Sequence, residues 1–320
     1  MKTVVLVTAI GTVAASHIVS EIKKTNEYYI IGADINPANQ IATSAEVDEF
    51  HKFPSAIADI EGYISFVLDF CIKKNVEYYF AIIDEEVANL SAHRSLFEGH
   101  GIKLCIANDS LIKICHYKDK FNQWIEKEMP EIAVKTFSRI EDIGDTDYPL
   151  FVKPVEGRAS IGCKKISNKD ELFQYLKEAD IKNIIIQQYV SGEIIAVDLV
   201  RNALTGQMCQ VQRTEHLRNS SGCGIAVEII DDQQLHCICD ELMQRLQLNG
   251  VVNAEFFRTE TGYKIIEVNP RFSAGTSFSC MAGCNTVVSA LRIAQKKDCS
   301  FAEVISGQHF AKKYETYRLN

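Results

Sequence analysis

The sequence lacks long apolar runs, an excess of positive charge and a leader-like start. Its longest apolar stretches, such as residues 4–9 and 184–186, have the length of a strand, far short of the ~20 residues that cross a bilayer. The formal net charge is −8, which argues against a nucleic-acid partner because clustered lysine and arginine bind the phosphate backbone. Residue 1 leads directly into a predicted strand, without an apolar segment and a cleavage site. We therefore expect a cytoplasmic protein with no membrane and no nucleic-acid partner.

Paired cysteine motifs are also absent. Eleven cysteines are present, but the number is odd and no Cys-x-x-Cys pair has a second pair or histidines beside it. Cys237 and Cys239 are close enough in sequence to suggest a metal ligand pair, and so are Cys280 and Cys284. We interpret these cysteines as small buried apolar side chains and expect reduced thiols.

Residues 1–117 alternate short β-rich runs with helical patterns, which is typical of a parallel sheet with crossover helices. Strands are predicted at 4–8, 28–33, 78–83 and 102–106, and helices at 14–24, 60–74, 86–99 and 110–116. Asp109 is the expected cap of the last helix. The pattern predicts a Rossmann-like domain.

From residue 118 the pattern changes to α+β, with a short helix followed by hairpin-forming strands. The predicted strands are 150–154, 162–166, 184–190, 195–202, 207–215, 251–258 and 263–269, and the predicted helices are 119–128, 168–179, 231–246 and 286–296. A chain of this length and composition is expected to form two or three domains.

Glycine is scarce in the first loop of the Rossmann-like half. A strand, Gly11, a helix, a second strand and Asp34 imitate a dinucleotide site, in which an acidic residue ~20 positions after the glycines binds ribose. That fingerprint has three glycines, whereas residues 8–15 contain one, and each missing glycine puts a Cβ where pyrophosphate must approach. We therefore predict that NAD does not bind, and that Gly11 turns the chain while Asp34 ends a strand.

Two lysines have positions that would suit an anion. Lys120 is near the start of a predicted helix, where free N–H groups favour negative charge; a solvated lysine is the plainer interpretation. Lys153 ends an apolar strand beside Phe151 and Val152, and a buried ammonium is costly without an anionic partner. A ligand phosphate would supply that partner.

Two further segments fit a nucleotide site but also fit ordinary structure. Residues 155–162 place two glycines around small residues, so they could fold over phosphates or form a surface turn. Residues 184–193 form a strand that leads through Gly192 into another strand. Its backbone could pair with adenine, or it could simply lie inside a sheet.

The most specific pattern is a predicted hairpin with an acidic pair. With a three-residue turn at 260–262, Glu255 would face Glu267, and Asn253 and Asn269 would lie on the same face. Like charges directly opposite destabilise a sheet, whereas Mg²⁺ binds carboxylate and amide oxygens and shares the phosphate oxygens of a substrate. We interpret the pair as a metal site rather than a solvated face.

These motifs, in this order, resemble those of the ATP-grasp superfamily, most closely those of the stand-alone relatives of the carbamoyl phosphate synthase large subunit. The resemblance is carried by Lys-Asp-Lys-Phe at 118–121, Pro-Leu-Phe-Val-Lys-Pro at 149–154, Gln-Gln-Tyr-Val-Ser-Gly-Glu at 187–193 and Ile-Glu-Val-Asn-Pro-Arg-Phe-Ser-Ala-Gly at 266–275. It implies an α/β plus α+β fold, in which a Rossmann-like (pre-ATP-grasp) domain precedes a two-lobed ATP-grasp fold. The implied bounds are 1–117 for the first domain, 118–190 for the small lobe, and 191–320 for the large lobe with the metal site.

The same resemblance implies roles for individual residues. The residues implied for ATP are Lys120, Lys153, Ser160, Gln187, Gln188, Tyr189, Val190 and Glu193. The lysines would bind phosphates, the 155–162 loop would be a lid, and 187–190 would be the adenine hinge. The family usually shows Gly-x-Glu after the hinge, whereas here Glu193 directly follows Gly192. Either a small bulge brings Glu193 to the ribose or the ribose is held otherwise.

The metal and catalytic residues are implied in the same way. Glu255, Glu267 and Asn269 would hold two Mg²⁺, with Mn²⁺ as the alternative metal. Arg271, which follows the hairpin, would point a bidentate donor at the γ-phosphate or an acyl phosphate. Arg213 lies where relatives often have a substrate or phosphate arginine.

The resemblance implies an ATP-dependent ligase. A carboxylate would attack the γ-phosphate to give an acyl phosphate and ADP, and an amine would then form an amide or peptide bond, with catalysis by positioning and charge neutralisation. The expected partners are a small-molecule carboxylate, first of all an amino acid, and an amine; a homodimer is allowed. The alternatives are a nucleotide sensor without turnover, and carboxyphosphate chemistry like that of carbamoyl phosphate synthase.

Overall fold

The first part of the chain forms a parallel sheet covered by helices on both faces. A computed structural model describes residues 2–155, 162–178, 183–220 and 222–319. The strands are β1 (Thr3–Val7), β2 (Tyr28–Asp34), β3 (Glu49–Lys52), β4 (Val76–Phe80) and β5 (Lys103–Leu104). The helices are α1 (Val13–Thr25), α2 (Ile60–Lys74), α3 (Asp84–Ala92), α4 (Arg94–Gly99), α5 (Asp109–Cys115) and α6 (Lys118–Glu128). The spatial order is β3-β2-β1-β4-β5, and Leu6 and Val7 of β1 belong to different cores, as expected of a sheet buried on both faces.

A small antiparallel sheet follows. Its strands are β6 (Thr136–Phe137), β7 (Leu150–Pro154), β8 (Lys164–Ile166) and β9 (Ile184–Gln188), in the order β6-β9-β7-β8, and its helix is α7 (Lys169–Glu178). Short 3-10 turns occur at 140–142 and 145–147 here, and at 38–40 and 42–45 in the first sheet. One face of this sheet packs on its own apolar core, which includes Val152, Leu172 and Ile186.

The third sheet is the largest and is antiparallel. Its strands are β10 (Glu193–Arg201), β11 (Met208–Arg218), β12 (Gly224–Ile230), β13 (Gly250–Thr259), β14 (Gly262–Asn269) and β15 (His309–Ala311), in the order β14-β13-β10-β11-β12-β15. Its helices are α8 (Gln233–Arg245), α9 (Thr276–Met281) and α10 (Thr286–Ala294). A single apolar core joins this sheet to the first one, since it contains Leu6 and Tyr79 as well as Val197 and Phe256.

The structure corrects several predicted elements. The helix predicted at 86–99 is two helices, α3 and α4, which meet at His93. The predicted cap Asp109 lies in the first turn of α5, whose N-cap is Asn108. The strands β3, β6, β12 and β15 and the helix α9 were not predicted. These strands are stabilised by pairing with neighbouring strands, and their own sequence patterns do not indicate them.

The loop after β1 is held by hydrogen bonds to the Asp34 side chain. Gly11 N–H donates to Asp34 Oδ2 at 2.9 Å, and Asn36 N–H donates to Asp34 Oδ1 at 3.0 Å. A Cβ at Gly11 would collide with Ile41. Because the Asp34 carboxylate already holds this turn, the structural interpretation of Gly11 and Asp34 is supported.

The cysteines are free thiols, and all eleven lie in the described residues. Cys239 and Cys284 are buried, as expected, and Cys280 is partly buried. Cys237 is exposed and is therefore not a buried apolar side chain. Among the helices of the described ranges, none is long and apolar enough to cross a membrane.

Candidate active site

The small sheet carries a buried lysine on the face opposite its apolar core. Lys153 pairs with Ile185 across β7 and β9 and is 6% exposed, while its neighbour Val152 lies in the core. Burial lowers the pKa of Lys153 to about 8; the negative charge of Glu267 opposes this shift, and the positive charge of Lys118 adds to it. Lys153 is thus a desolvated cation near an acid of the large sheet.

The acidic pair of the hairpin is placed as predicted. Glu255 of β13 and Glu267 of β14 are direct cross-strand partners, and Asn253 pairs with Asn269. Burial, and then repulsion from Glu267, raise the pKa of Glu255 to about 7. Two carboxylates therefore oppose each other on this face of the sheet, at a cost that a bound cation would remove.

The predicted three-residue turn of this hairpin is wrong. Thr259 pairs with Gly262, which leaves a turn of two residues. The register then shifts between Glu255 and Phe256, so that Ile266 is the extra residue of a bulge. The bulge offsets the shorter turn and restores the pairing of the two glutamates.

Asn269 and Arg271 are tied to this pair and to the first domain. Asn269 Nδ2 donates to Glu267 Oε1 at 3.2 Å, and Arg271 Nη2 donates to Asn269 Oδ1 at 3.3 Å. Arg271 Nε donates to Asp84 Oδ1 at 2.7 Å, and Asp84 is the first residue of α3. The N-terminal domain therefore fixes the direction of the arginine that follows the acidic hairpin.

Arg213, which was predicted as a substrate or phosphate arginine, is buried among other protein groups. It is 2% exposed, and its guanidinium contacts Asp198 at 3.0 Å, Glu215 at 3.2 Å and Ser273 Oγ at 3.3 Å. A Cβ at Gly275 would collide with it. These contacts make Arg213 a buried support beneath the site, with its donors directed at protein acids.

Replacing Arg213 with methionine should destabilise the fold by about 3–5 kcal/mol, because Asp198 and Glu215 would stay buried without their cation. Urea unfolding measures this loss. Arg258→Met is the matched control: Arg258 pairs with Glu193 at the surface, and an exposed pair contributes ~0–1 kcal/mol. Similar small changes in both variants would show that Arg213 does not support the sheet.

A second arginine on the same strand, Arg218, was not predicted. Its Nε lies 2.8 Å from Glu215 and its Nη2 lies 3.9 Å from Glu255 Oε2. This Nη2 is buried and has no hydrogen-bond partner among the described residues. If side chains alternated strictly between the two faces of β11, Leu217 would lie on the same face as Glu215. His216 is an extra residue between two paired positions, so Arg218 lies on that face instead. A bulge of this kind has no signature in the sequence pattern.

The two lysines of the Lys-Asp-Lys motif differ in position. Lys120 is exposed, and its Nζ lies 4.1 Å from the centre of the Tyr117 ring. Lys118, which was not selected from the sequence, donates its N–H to Val155 O at 3.4 Å, and its charge acts on Lys153. The structure thus brings Lys118, rather than Lys120, to the buried lysine.

Two family models match the chain over most of its length. Residues 180–314 match an ATP-grasp family described as "ATP-grasp in the biosynthetic pathway with Ter operon", and residues 5–105 match the PylC-like N-terminal domain. The resemblance predicted from the sequence is therefore confirmed for residues 180–314, which match an ATP-grasp family.

Curated relatives of this chain include ligases. The 3-methyl-D-ornithine–L-lysine ligase of Methanosarcina mazei is 26% identical over 132 residues, which cover 41% of this chain and 34% of that protein. The arginine-specific carbamoyl phosphate synthase large chain of Bacillus subtilis is 23% identical over 192 residues, 55% of this chain and 18% of that protein. The matched region spans about a third or less of the length of these relatives.

Solved structures show the same fold. The biotin carboxylase domain of Hydrogenobacter thermophilus 2-oxoglutarate carboxylase, solved with MgADP and bicarbonate, has a TM-score of 0.77 at 14% identity, covering 95% of this chain and 73% of that one. N5-carboxyaminoimidazole ribonucleotide synthetase from Thermotoga maritima has a TM-score of 0.66 at 18% identity, covering 95% and 78%. The predicted fold, α/β plus α+β with a two-lobed ATP-grasp region, is confirmed.

The predicted adenine hinge lies at the end of β9. Gln187 is buried and donates to Thr136 Oγ1 at 3.1 Å, while the N–H groups of Gln188 and Tyr189 donate to backbone carbonyls at 2.9 and 3.0 Å. Gln188 and Val190 border a cavity of about 300 Å³. The N–H groups of Gln188 and Tyr189 are thus already used, so recognition of a base here would depend on Val190 and on carbonyl oxygens.

Two predicted nucleotide-binding residues remain, Ser160 and Glu193. Ser160 and most of the 155–162 loop lie outside the described residues. Glu193 pairs with Arg258 and forms an ion pair with it, and the register of β10 with β13 is continuous from Glu193 to Arg201. The role of Glu193 at the ribose stays a prediction.

Proposed function

We propose that this protein is an ATP-dependent carboxylate–amine ligase that forms an amide or peptide bond through an acyl phosphate. The observation that carries the proposal is the facing pair Glu255 and Glu267, with the buried cation Lys153 nearby. Acids for a metal and desolvated cations for phosphates are what phosphoryl transfer requires, since it depends on positioning and charge neutralisation.

The donor atoms of the hairpin fit Mg²⁺, with Mn²⁺ as the alternative. Glu255, Glu267 and Asn269 offer carboxylate and amide oxygens, the ligands that hard cations take. Burial, and then repulsion from Glu267, raise the pKa of Glu255, and a bound cation would offset both effects. We propose that these three residues hold the metal ions. Bound there, Mg²⁺ would neutralise phosphate charge and polarise the transferred group.

The surrounding side chains have separate roles in this proposal. Lys153 binds phosphate, with Lys118 supplementing or replacing the predicted Lys120. Arg271, held by Asp84, faces the transferred phosphoryl group. Arg218 has a buried Nη2 without a hydrogen-bond partner among the described residues, and it is our choice over Arg213 for the second catalytic arginine.

The nucleotide would lie against the predicted hinge. Residues 187–190 bind adenine, Glu193 reaches the ribose and the 155–162 loop with Ser160 covers the phosphates. The division at 1–117, 118–190 and 191–320 is part of the proposal; its boundaries fall between the three sheets. A homodimer and a cytoplasmic location stay predictions.

The substrates are proposed to be a small carboxylate, first of all an amino acid, and an amine. The name of the Methanosarcina mazei relative, a ligase of two amino acids, supports this class. Pooled amino acids and amines, tested for ADP release with mass analysis of the product, would identify the pair.

The nucleotide product should be ADP with inorganic phosphate. Transfer of the terminal phosphoryl group to a carboxylate leaves ADP, whereas adenylation leaves AMP and pyrophosphate. Chromatography of the spent nucleotide distinguishes the two. AMP as the main product would assign the protein to an adenylating class.

Carboxyphosphate chemistry is the second candidate, because the Hydrogenobacter neighbour was solved with bicarbonate. Bicarbonate belongs in the same screen: ADP release that needs bicarbonate but no other carboxylate would favour this alternative. Tight Mg-ATP binding with no ADP release from any pool would favour a nucleotide sensor.

A further inference from the structure

Three metal-ligating side chains meet on another part of the large sheet. His216 lies on β11, Glu228 on β12 and His309 on β15, and one donor atom from each lies within 4.8 Å of the others. None of these residues has a part in the proposed ligase site.

The cluster is built by sheet pairing and by the bulge at His216. Glu228 and His309 are direct cross-strand partners, so their side chains share a face. His216 has no partner in the ladder, because Glu215 pairs with Val227 and Leu217 pairs with Ala226. The extra residue directs its imidazole toward Glu228, and His216 Nε2 lies 3.2 Å from Glu228 Oε2.

This face is the one turned away from the acidic hairpin. Arg213, which supports the ligase site, pairs with Ile229, and Ile229 belongs to an apolar core. Since neighbouring residues of a strand point to opposite faces, Glu228 points away from Arg213. A metal at the cluster would therefore be separate from the proposed Mg²⁺ site.

The spacing and the donor types fit a first-row transition ion. Ligands at ~2.0–2.2 Å from a tetrahedral Zn²⁺ lie ~3.3 Å apart, close to the His216–Glu228 distance. The His216 and His309 rings are near-parallel, with an interplanar angle of 25° and centroids 6.2 Å apart. Because the three donor atoms already lie within 4.8 Å of one another, side-chain rotations could bring them to one ion. Two imidazoles favour Zn²⁺ over Mg²⁺, which prefers oxygen.

We propose that His216, Glu228 and His309 form a Zn²⁺ site that fastens β15 to the sheet. β15 is a three-residue edge strand. On either side of it, three backbone hydrogen bonds of 2.8 Å attach the segment to β12: Ile229 N–H to Gln308 O, Gly307 N–H to Ile229 O, and Lys312 N–H to Ile225 O. A metal ligand from each of three strands would add a crosslink where pairing is short. The fourth coordination position is left to water, because His216 and Glu228 are partly exposed, with 48% and 34% of their side chains accessible.

Calorimetric titration of the full chain with ZnCl₂, in Mg²⁺ buffer with a non-thiol reductant, tests the site. We expect one tight equivalent in the parent, and affinity reduced at least about tenfold in His309→Ala and in Glu228→Gln, since even outer partners of metal ligands contribute tenfold or more. His100→Ala, at an exposed histidine, and Cys237→Ser, at the exposed thiol, should bind like the parent. Parental affinity in His309→Ala, or loss of binding in Cys237→Ser, would overturn the proposal.

Hydrogen exchange provides a readout specific to β15. Zn²⁺ should slow exchange of the amides of residues 308–312 in the parent and leave them unchanged in His216→Ala, whose substitution lies on another strand. Equal protection in both proteins, or none in the parent, would show that the cluster is only a histidine–glutamate ion pair.

Discussion

Glu267→Gln should lower ADP release at least about 100-fold while the metal-free protein melts at the same or a higher temperature. Glutamine keeps the shape and one oxygen ligand but removes a charge that the metal needs, and loss of a preorganised electrostatic group costs ~10²–10³ in turnover. In the metal-free protein the same change relieves the repulsion that raises the pKa of Glu255.

The measurement is turnover together with thermal melting, with and without Mg-ATP. Added Mg-ATP should stabilise the variant much less than the parent, because ligand stabilisation follows affinity. Glu260→Gln is the matched control, since Glu260 lies in the turn of the same hairpin and is exposed. A Glu267 variant with parental turnover and parental Mg-ATP stabilisation would show that Glu255 and Glu267 are only solvated surface residues. The proposed mechanism would then be wrong.

Lys153→Met should weaken ATP binding about 10- to 150-fold, because a charge-assisted contact with phosphate contributes ~1.5–3 kcal/mol. Lys297→Met, at an exposed lysine, is the control. Titration calorimetry with Mg-ATP compares the two, and equal affinities would exclude Lys153 from the phosphate site.

The same substitution should stabilise the nucleotide-free protein at neutral pH. Folding lowers the pKa of Lys153 from its ordinary 10.5 to about 8, so the unfolded chain binds the extra proton between these values and stability rises with pH there. The penalty, about 3 kcal/mol by linkage, is complete below pH 8 and vanishes above pH 10.5. The stability difference between Lys153→Met and parent should therefore shrink as pH increases through this window.

The sequence was most informative where one strand pattern determined both fold and site. The apolar strand that ends at Lys153 predicted a buried ammonium, and the period of two predicted that Glu255 faces Glu267. The latter pairing was predicted from a three-residue turn, whereas the hairpin has a two-residue turn. Two local irregularities, a shorter turn and a bulge at Ile266, offset each other, so pairing was predictable although the path of the chain was not.

The remaining groups depend on contacts that no local pattern encodes. Asp84 orients Arg271 across 187 positions of sequence, and the first domain and the large sheet share one core. Arg213 looks like a ligand arginine in sequence, and only its burial between Asp198 and Glu215 shows that its donors are already engaged.

The bulge at His216 affects how relatives should be aligned with this chain. One inserted residue exchanges the positions of Leu217 and Arg218, so that an arginine, and not a leucine, lies next to Glu215. In a homologue without the insertion, the equivalent arginine would stand one position earlier, and a gap-free alignment would pair it with a leucine that is 61% exposed. Whether a homologue retains this arginine should therefore be judged by superposed Cα positions rather than by alignment columns.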